Sequence, residues 1–487
     1  MSEQFPSFGD FFQAVHGYPP FPWQDRLASS VQTQGWPELL NLPTGVGKTT
    51  ALDIALYCLA AAPSAHSRRI LIVVDRRIVV DQGADHARHI LQQMTKATDG
   101  PLYQIAGCLR QIWSAPAGAA PFAIATLRGG MPRDNDWAKR PDQPVVGVST
   151  VDQVGSRLLF RGYGIGRQSA PIHAGLMGRD TLLLLDEVHL AEPFAETVEA
   201  IRRFQTKPSG IPAGLVSVRM SATPSQVAAD TFELDANDTA HPVLSRRLNA
   251  KKTVTLESVR VTGKNEAEKQ HKLAEKAVQK SVGLLDDDTK VVAVVFNRVD
   301  AARSAFQILS TMKNAPPCVL VTGRMRPLDR DRLVRDTLLP QARAGRDRSI
   351  AEPLVVVATQ CIEAGADLDF DAMVTEVASL DALRQRFGRV DRRGERGVTE
   401  SIVLCRSDQD RDWDDPIYGN ALTNTWVWLS NLADSGEIDF GVTALAAALS
   451  DHTDELPTLL PPPVFAPVLL PLHLDSLTQS SCRAWHT

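Results

Sequence analysis

Pro43-Thr44-Gly45-Val46-Gly47-Lys48-Thr49-Thr50, between an apolar Leu39-Leu40 and a helical run, decides the fold of this 487-residue chain. Gly45 and Gly47 let successive backbone N–H groups curl around phosphate oxygens between the flanking Thr44 and Thr50. Lys48 can reach the β- and γ-phosphates, and the Thr49 hydroxyl can ligate Mg²⁺. Leu42 stands where the strict GxxxxGK[ST] pattern has its first glycine, so the stretch is a PTGxGKT variant of a phosphate loop. Such a loop joins a strand to a helix, which predicts an α/β protein.

Outward from the loop, short runs of β-rich residues recur: Arg69–Val74, Pro144–Val148, Thr181–Leu185, Leu215–Arg219, Val291–Phe296, Cys318–Val321 and Leu354–Ala358. They are nearly continuously apolar, as expected of strands buried on both faces of a parallel sheet. Helical spacing predicts helices over Thr49–Ala60, Ile78–Met94, Ala195–Phe204, Ala301–Met312 and Arg330–Arg343. The rhythm pauses from Pro224 to about Lys290, where a connector is expected. The expected organisation is an N-terminal segment 1–20, a nucleotide-binding lobe 21–240, a second α/β lobe 241–405, and 406–487 as an accessory helix around Ala421–Leu432 with a proline-rich tail.

Composition narrows the function. With 52 basic against 57 acidic residues the net charge is −5, so any nucleic-acid site must be a local groove of Lys and Arg. The six cysteines lie far apart with no CxxC pair, which argues against a zinc site or a disulfide framework and fits a reducing cytoplasm. Apolar runs are too short to span a bilayer, and the N-terminus has no signal-peptide pattern, so a cytoplasmic protein with no membrane partner is expected.

Further motifs follow the phosphate loop. Thr181–Leu185 delivers Asp186-Glu187-Val188-His189 at the end of a buried strand, where ligands of open α/β sheets bind. Asp186 is expected to hold Mg²⁺ and Glu187 to activate the attacking water of ATP hydrolysis. His189 reads either as a structural histidine or as a relay to Ser221-Ala222-Thr223. Gln24, after Phe21-Pro22-Trp23, offers an amide for paired hydrogen bonds with an adenine edge, and reads equally as an exposed residue opening a helix. Far downstream, Arg384–Arg396 holds six arginines. Gln385, Gly388, Arg389 and Arg392 have the spacing of an arginine-finger helix, with Arg389 and Arg392 set against charge on the γ-phosphate and Gln385 positioning the water. Such fingers act from a second lobe that closes on the first, coupling hydrolysis to domain movement. Arg76, Arg128, Thr150, Asn297, Thr359 and Gln360 follow strands, where phosphate-binding loops belong; singly each reads as an ordinary turn, and together they suggest a non-specific backbone track.

The ordered set Gln24, PTGVGKT, DEVH, SAT, ATQCIEAGADLD and QRFGRVDRRG resembles a superfamily-two helicase core over about residues 20–405. Glu-Ala-Gly-Ala-Asp-Leu-Asp at 363–369, Thr150-Val151-Asp152-Gln153 and Leu380–Arg386 are most similar to the helicase-nuclease of type I CRISPR interference, in the branch with a C-terminal HD domain. The resemblance implies two RecA-like lobes using ATP and Mg²⁺, loading on single-stranded DNA after an RNA-guided surveillance complex has opened it. It also implies a metal-dependent HD nuclease, yet none of the eleven histidines is followed by Asp, and His86 and His89 beside Asp85 are too few for such a centre. Either an HD domain follows Thr487 in a longer product, or a separate nuclease cleaves. Two rival expectations remain: an RNA-remodelling DExH ATPase, and an ATP-gated recruiter that does not separate strands.

Overall fold

The computed structural model describes residues 5–462, apart from 75–76, 117, 130–134, 188–190, 206–213, 222–227, 264, 348–350, 364–366 and 412, together with His473 and Ser476. The chain forms two compact units that divide at His241 and Pro242.

The first is a seven-stranded sheet of β1 (Leu39–Asn41), β2 (Arg69–Val74), β3 (Ala123–Leu127), β4 (Val145–Thr150), β5 (Thr181–Asp186), β6 (Leu215–Ser221) and β7 (Thr231–Glu233). The spatial order is β3-β4-β2-β5-β6-β1-β7, with every pairing parallel. β2 and β4 are buried along their whole length, which is why their sequences read as apolar runs without alternation. Helices α1 (Phe8–His16), α2 (Pro22–Gln34), α3 (Ala51–Ala61) and α4 (Arg77–Lys96) belong to this unit. A capping box between Ser7 and Asp10 starts α1, and Gly17 in the left-handed region ends it. α3 is buried on every side from Ala51 to Ala60. Fully burying side chains such as Leu52, Ile54, Leu56 and Leu59 contributes about 1.5–3 kcal/mol each and anchors the helix that leaves the phosphate loop.

The second unit is another seven-stranded sheet: β8 (Lys251–Val259), β9 (Val291–Val295), β10 (Cys318–Val321), β11 (Leu354–Ala358), β12 (Ala372–Glu376), β13 (Val398–Arg406) and β14 (Glu437–Asp439). Its order is β10-β11-β9-β12-β13-β8-β14, parallel except that β14 runs antiparallel to β8. Phe296, Leu309, Val357 and Leu404 lie in its core.

The expected connector before Lys290 is a correction. It holds β8, paired with β13 along nine residues, and a helix over Glu266–Gly283 that buries Leu273, Ala274, Ala277 and Val278. The helix is charged on its open face and apolar only along a narrow stripe, so it read as a solvated stretch. Likewise β14 adds a strand beyond Cys405. Among the described residues no helix is long and apolar enough to cross a membrane.

Candidate nucleotide-binding site

Sheet register builds the site. β6 lies between β1 and β5, with Leu40 and Asp186 both opposite Met220. The phosphate loop leaving β1 and the acidic pair ending β5 therefore emerge at the same, carboxyl end of the sheet, on either side of one strand. Gly45 (φ 89°) and Gly47 (φ 91°) are both left-handed, a conformation that L side chains rarely adopt, and Lys48–Thr50 form a 3₁₀ turn leading into α3. Lys48 Nζ reaches across to Glu187 Oε1 at 2.9 Å, with both side chains largely buried. Glu187 itself sits at φ 50°, an uncommon backbone for a non-glycine residue that costs on the order of 1–3 kcal/mol and clusters at functional sites. Its N–H is held by the Met220 carbonyl at 2.9 Å. Thr49 is exposed on the turn, and Ser221, at the end of β6, is fully buried.

Gln24 lies inside the lobe, which corrects the expectation of an exposed residue opening a helix. It is 1% exposed, and both ends of its amide are used inside the lobe. Oε1 accepts from the Phe21 N–H at 2.8 Å, closing the first turn of α2, and Nε2 donates to Thr50 Oγ1 at 2.9 Å. Thr50 Oγ1 in turn donates to the Gly47 carbonyl at 2.8 Å. Gln24 is thus a brace between α2 and the phosphate loop.

In the second unit the arginine-rich segment begins as a helix over Leu380–Phe387. Arg386, which the sequence did not single out, is its buried hub. Nε donates to Glu363 Oε1 at 2.9 Å, Nη1 to Thr375 Oγ1 at 2.8 Å and to the Glu376 carbonyl at 2.9 Å, and Nη2 to Asn297 Oδ1 at 2.8 Å and Tyr418 OH at 3.1 Å. Burial raises the Glu376 carboxyl above the usual range, with the Asn297 N–H and Arg386 opposing it. Only the burial of five partners from four separate segments could have revealed this hub. Arg389 is 7% exposed and its Nε and Nη2 donate to the Glu363 carbonyl at 3.3 and 3.1 Å. Arg392 is more open and pairs with Asp367 at 3.2 Å. Gln385 is half-buried.

The expected nucleic-acid track is largely interior. Asn297 is 3% exposed: its N–H goes to Glu376 Oε2 and its Nδ2 to the Val377 carbonyl, both at 2.8 Å, while its Oδ1 holds Arg386. Gln360 Nε2 donates to the Asn297 carbonyl at 2.8 Å, and Thr359 and Thr150 are buried at 4% and 2%. Arg128, its side chain 7% exposed, pairs with Asp81 at 2.9 Å. Asn297 and Gln360 close an internal network around the strand ends, whereas the buried Thr150 hydroxyl has no hydrogen-bond partner among the described residues. Arg76, His189 and Thr223 lie outside the described residues.

Comparisons with known proteins agree with this architecture. Residues 22–226 match the family described as type III restriction enzyme, res subunit, and residues 288–395 match CRISPR-associated nuclease/helicase Cas3, C-terminal. The CRISPR-associated endonuclease/helicase Cas3 of Escherichia coli K12 is 24% identical over 294 residues, covering 53% of this chain and 30% of that protein. The CRISPR-associated helicase Cas3 of Thermoproteus tenax is 27% identical over 259 residues, covering 51% and 39%. The matched segment is thus well under half the length of either relative. The crystal structure of T. fusca Cas3-ATP aligns with TM-score 0.63 at 18% identity, over 97% of this chain and 55% of that one. A CRISPR RNA-guided surveillance complex, pre-nicking, contains a chain that aligns with TM-score 0.57 at 16% identity, over 91% and 51%. The chain carries a superfamily-two helicase core of two tandem RecA-like lobes, resembling type I Cas3.

Proposed function

We propose that this chain is an ATP-driven translocase on single-stranded DNA, acting in type I CRISPR interference on DNA opened by an RNA-guided surveillance complex. The observation that carries the proposal is the Lys48–Glu187 pair, which joins a left-handed glycine loop to the acid ending β5 at one end of the sheet. The loop fits a polyphosphate: its two left-handed glycines free backbone N–H groups, and its lysine ends beside a carboxylate poised for a proton. Thr49 and Asp186 offer a hydroxyl and a carboxylate oxygen, the hard donors that Mg²⁺ prefers. Bound MgATP would supply the phosphoanhydride whose cleavage drives the motor.

In this reading Lys48 and the loop amides orient the phosphates, and Glu187 takes the proton of the attacking water. Arg392 supplies charge to the γ-phosphate, with Gln385 positioning the water. Arg389 must leave the Glu363 carbonyl to act beside it. His189 relays between the nucleotide and the Ser221-Ala222-Thr223 segment.

DNA-stimulated ATPase assays test the proposal. Lys48→Ala and Glu187→Gln should nearly abolish the rate, and an undiminished rate in either would remove the assignment. Stimulation by RNA and not by single-stranded DNA would favour the RNA-remodelling alternative. Hydrolysis without strand displacement on a tailed duplex would favour the recruiter.

A further inference from the structure

Away from the nucleotide loop, three helices of the first lobe bring together side chains far apart in sequence. His16 ends α1, Asp53 lies within α3, and His86 lies on α4. His16 Nε2 is 2.8 Å from Asp53 Oδ1, and His86 Nε2 is 2.7 Å from Asp53 Oδ2. The three donor atoms all lie within 4.8 Å of one another. The two imidazoles stack nearly parallel, 5.5 Å between centroids and 10° between planes. His89, one turn further along α4, stands 5.7 Å from the His16 ring with its Nε2 3.1 Å from the Val15 carbonyl.

Asp53 is fully buried, and a buried carboxylate ordinarily requires a cationic partner. Among the described residues its ion partners are two histidines, with no lysine or arginine. That choice matters chemically, because imidazole is also a ligand: it can exchange its ring proton for a metal ion near neutral pH. Two imidazole nitrogens and one carboxylate oxygen are a donor set for Zn²⁺ or its neighbours Co²⁺ and Ni²⁺.

We propose that His16, Asp53 and His86 form a binding site for a divalent transition-metal ion that fastens α1 to the phosphate-loop helix α3 and to α4. Metal–ligand bonds of about 2.0–2.2 Å in a tetrahedral site set neighbouring ligand atoms roughly 3.3 Å apart. The two imidazoles now meet different oxygens of Asp53, so an ion held by both rings must draw the two Nε2 atoms to about that spacing as it replaces the bridging protons. The side chains of His16 and His86 are 9% and 20% exposed, so the cluster lies near solvent. The His16, Asp53 and His86 rings and carboxylate are contributed by three different helices, so the ion would cross-link them and stabilise the folded lobe by mass action.

The test uses the full chain stripped with a chelator, then titrated with Zn²⁺ by calorimetry and with Co²⁺ by visible absorption. One saturable ion per chain, a Co²⁺ d–d band and a raised Tm are expected. The double variant His16→Gln/His86→Gln keeps amide donors for the Asp53 carboxylate, so it should fold and lose all three signals. His271→Gln, altering an exposed histidine, and Cys108→Ser should keep them. Absence of saturable binding in the stripped protein, or the same stoichiometry and band in the double variant, would overturn the proposal. The readouts do not depend on ATPase activity, so the site stands or falls apart from the motor assignment.

Discussion

Lys48 Nζ and Glu187 Oε1 lie 2.9 Å apart, one from the loop after β1 and the other from the end of β5. In the proposed motor these are the cation that binds phosphate and the carboxylate that activates water, and here they neutralise each other directly. On that proposal a γ-phosphate competes with Glu187 for Lys48, and nucleotide binding and release of the general base become a single exchange. Glu187→Gln removes the competitor and the base together. Its kcat should fall roughly 100- to 10,000-fold while nucleotide Kd stays level or tightens. Lys48→Ala should lose nucleotide binding. Fluorescent-nucleotide titration separates them, and a Kd weakened equally in both variants would contradict the exchange.

Gln24→Ala leaves the Phe21 N–H and the Thr50 hydroxyl without their amide partner. Both bonds are part-buried and Thr50 Oγ1 keeps its bond to the Gly47 carbonyl, so the first lobe should lose about 1 kcal/mol, read as a lower denaturant midpoint. ATP and GTP turnover should change in parallel. Lost ATP-over-GTP preference with an intact midpoint would restore the base-reading role.

Arg386 and Arg392 are close in sequence and should behave oppositely. Arg386→Met strands Glu363 and Asn297 in the interior, and breaking a buried charged network costs about 3–5 kcal/mol, so a large drop in Tm is expected. Arg392→Ala removes an accessible ion pair with Asp367, worth at most about 1 kcal/mol. It should fold normally, bind nucleotide and hydrolyse it slowly. A stable Arg386→Met or an unfolded Arg392→Ala would invert the two roles.

Asp408 links the second lobe to acid stability. Burial alone would raise its carboxyl, but hydrogen bonds from Arg406 and Lys269 bring it from 3.8 to about 2. A depressed carboxylate stabilises the fold above its unfolded value and loses that contribution as pH falls from about 4 towards 2. The group is partly exposed, so the contribution is about 1 kcal/mol after solvent screening. Asp408→Asn should lower the urea midpoint at pH 7, with the gap to the parent narrowing on acidification. A gap independent of pH would remove the linkage.

Much of the fold is legible because its central strands are buried on both faces. Leu354–Ala358 coincides with β11 and Arg69–Val74 with β2, since continuous apolar runs admit few other conformations. β8 escapes the same reading: it is buried only at Lys252, Val254 and Val259 along its nine residues. The three-residue strands β7 and β14 carry too little pattern to stand out, and only their partners β1 and β8 define them.

From the sequence alone came the phosphate loop, the acidic pair and the arginine-rich segment, because each is a local run whose chemistry depends on near neighbours; that the helix stops at Phe387, before Arg389 and Arg392, was not legible there. Tertiary structure alone decided what each polar group does. Gln24 and Asn297 have the right functional groups for ligands, yet burial couples them to partners within their own lobes. His16, Asp53 and His86 are separated by more than thirty residues, and no spacing rule joins them. Only the packing of α1 and α4 against α3 sets two imidazoles on one buried carboxylate.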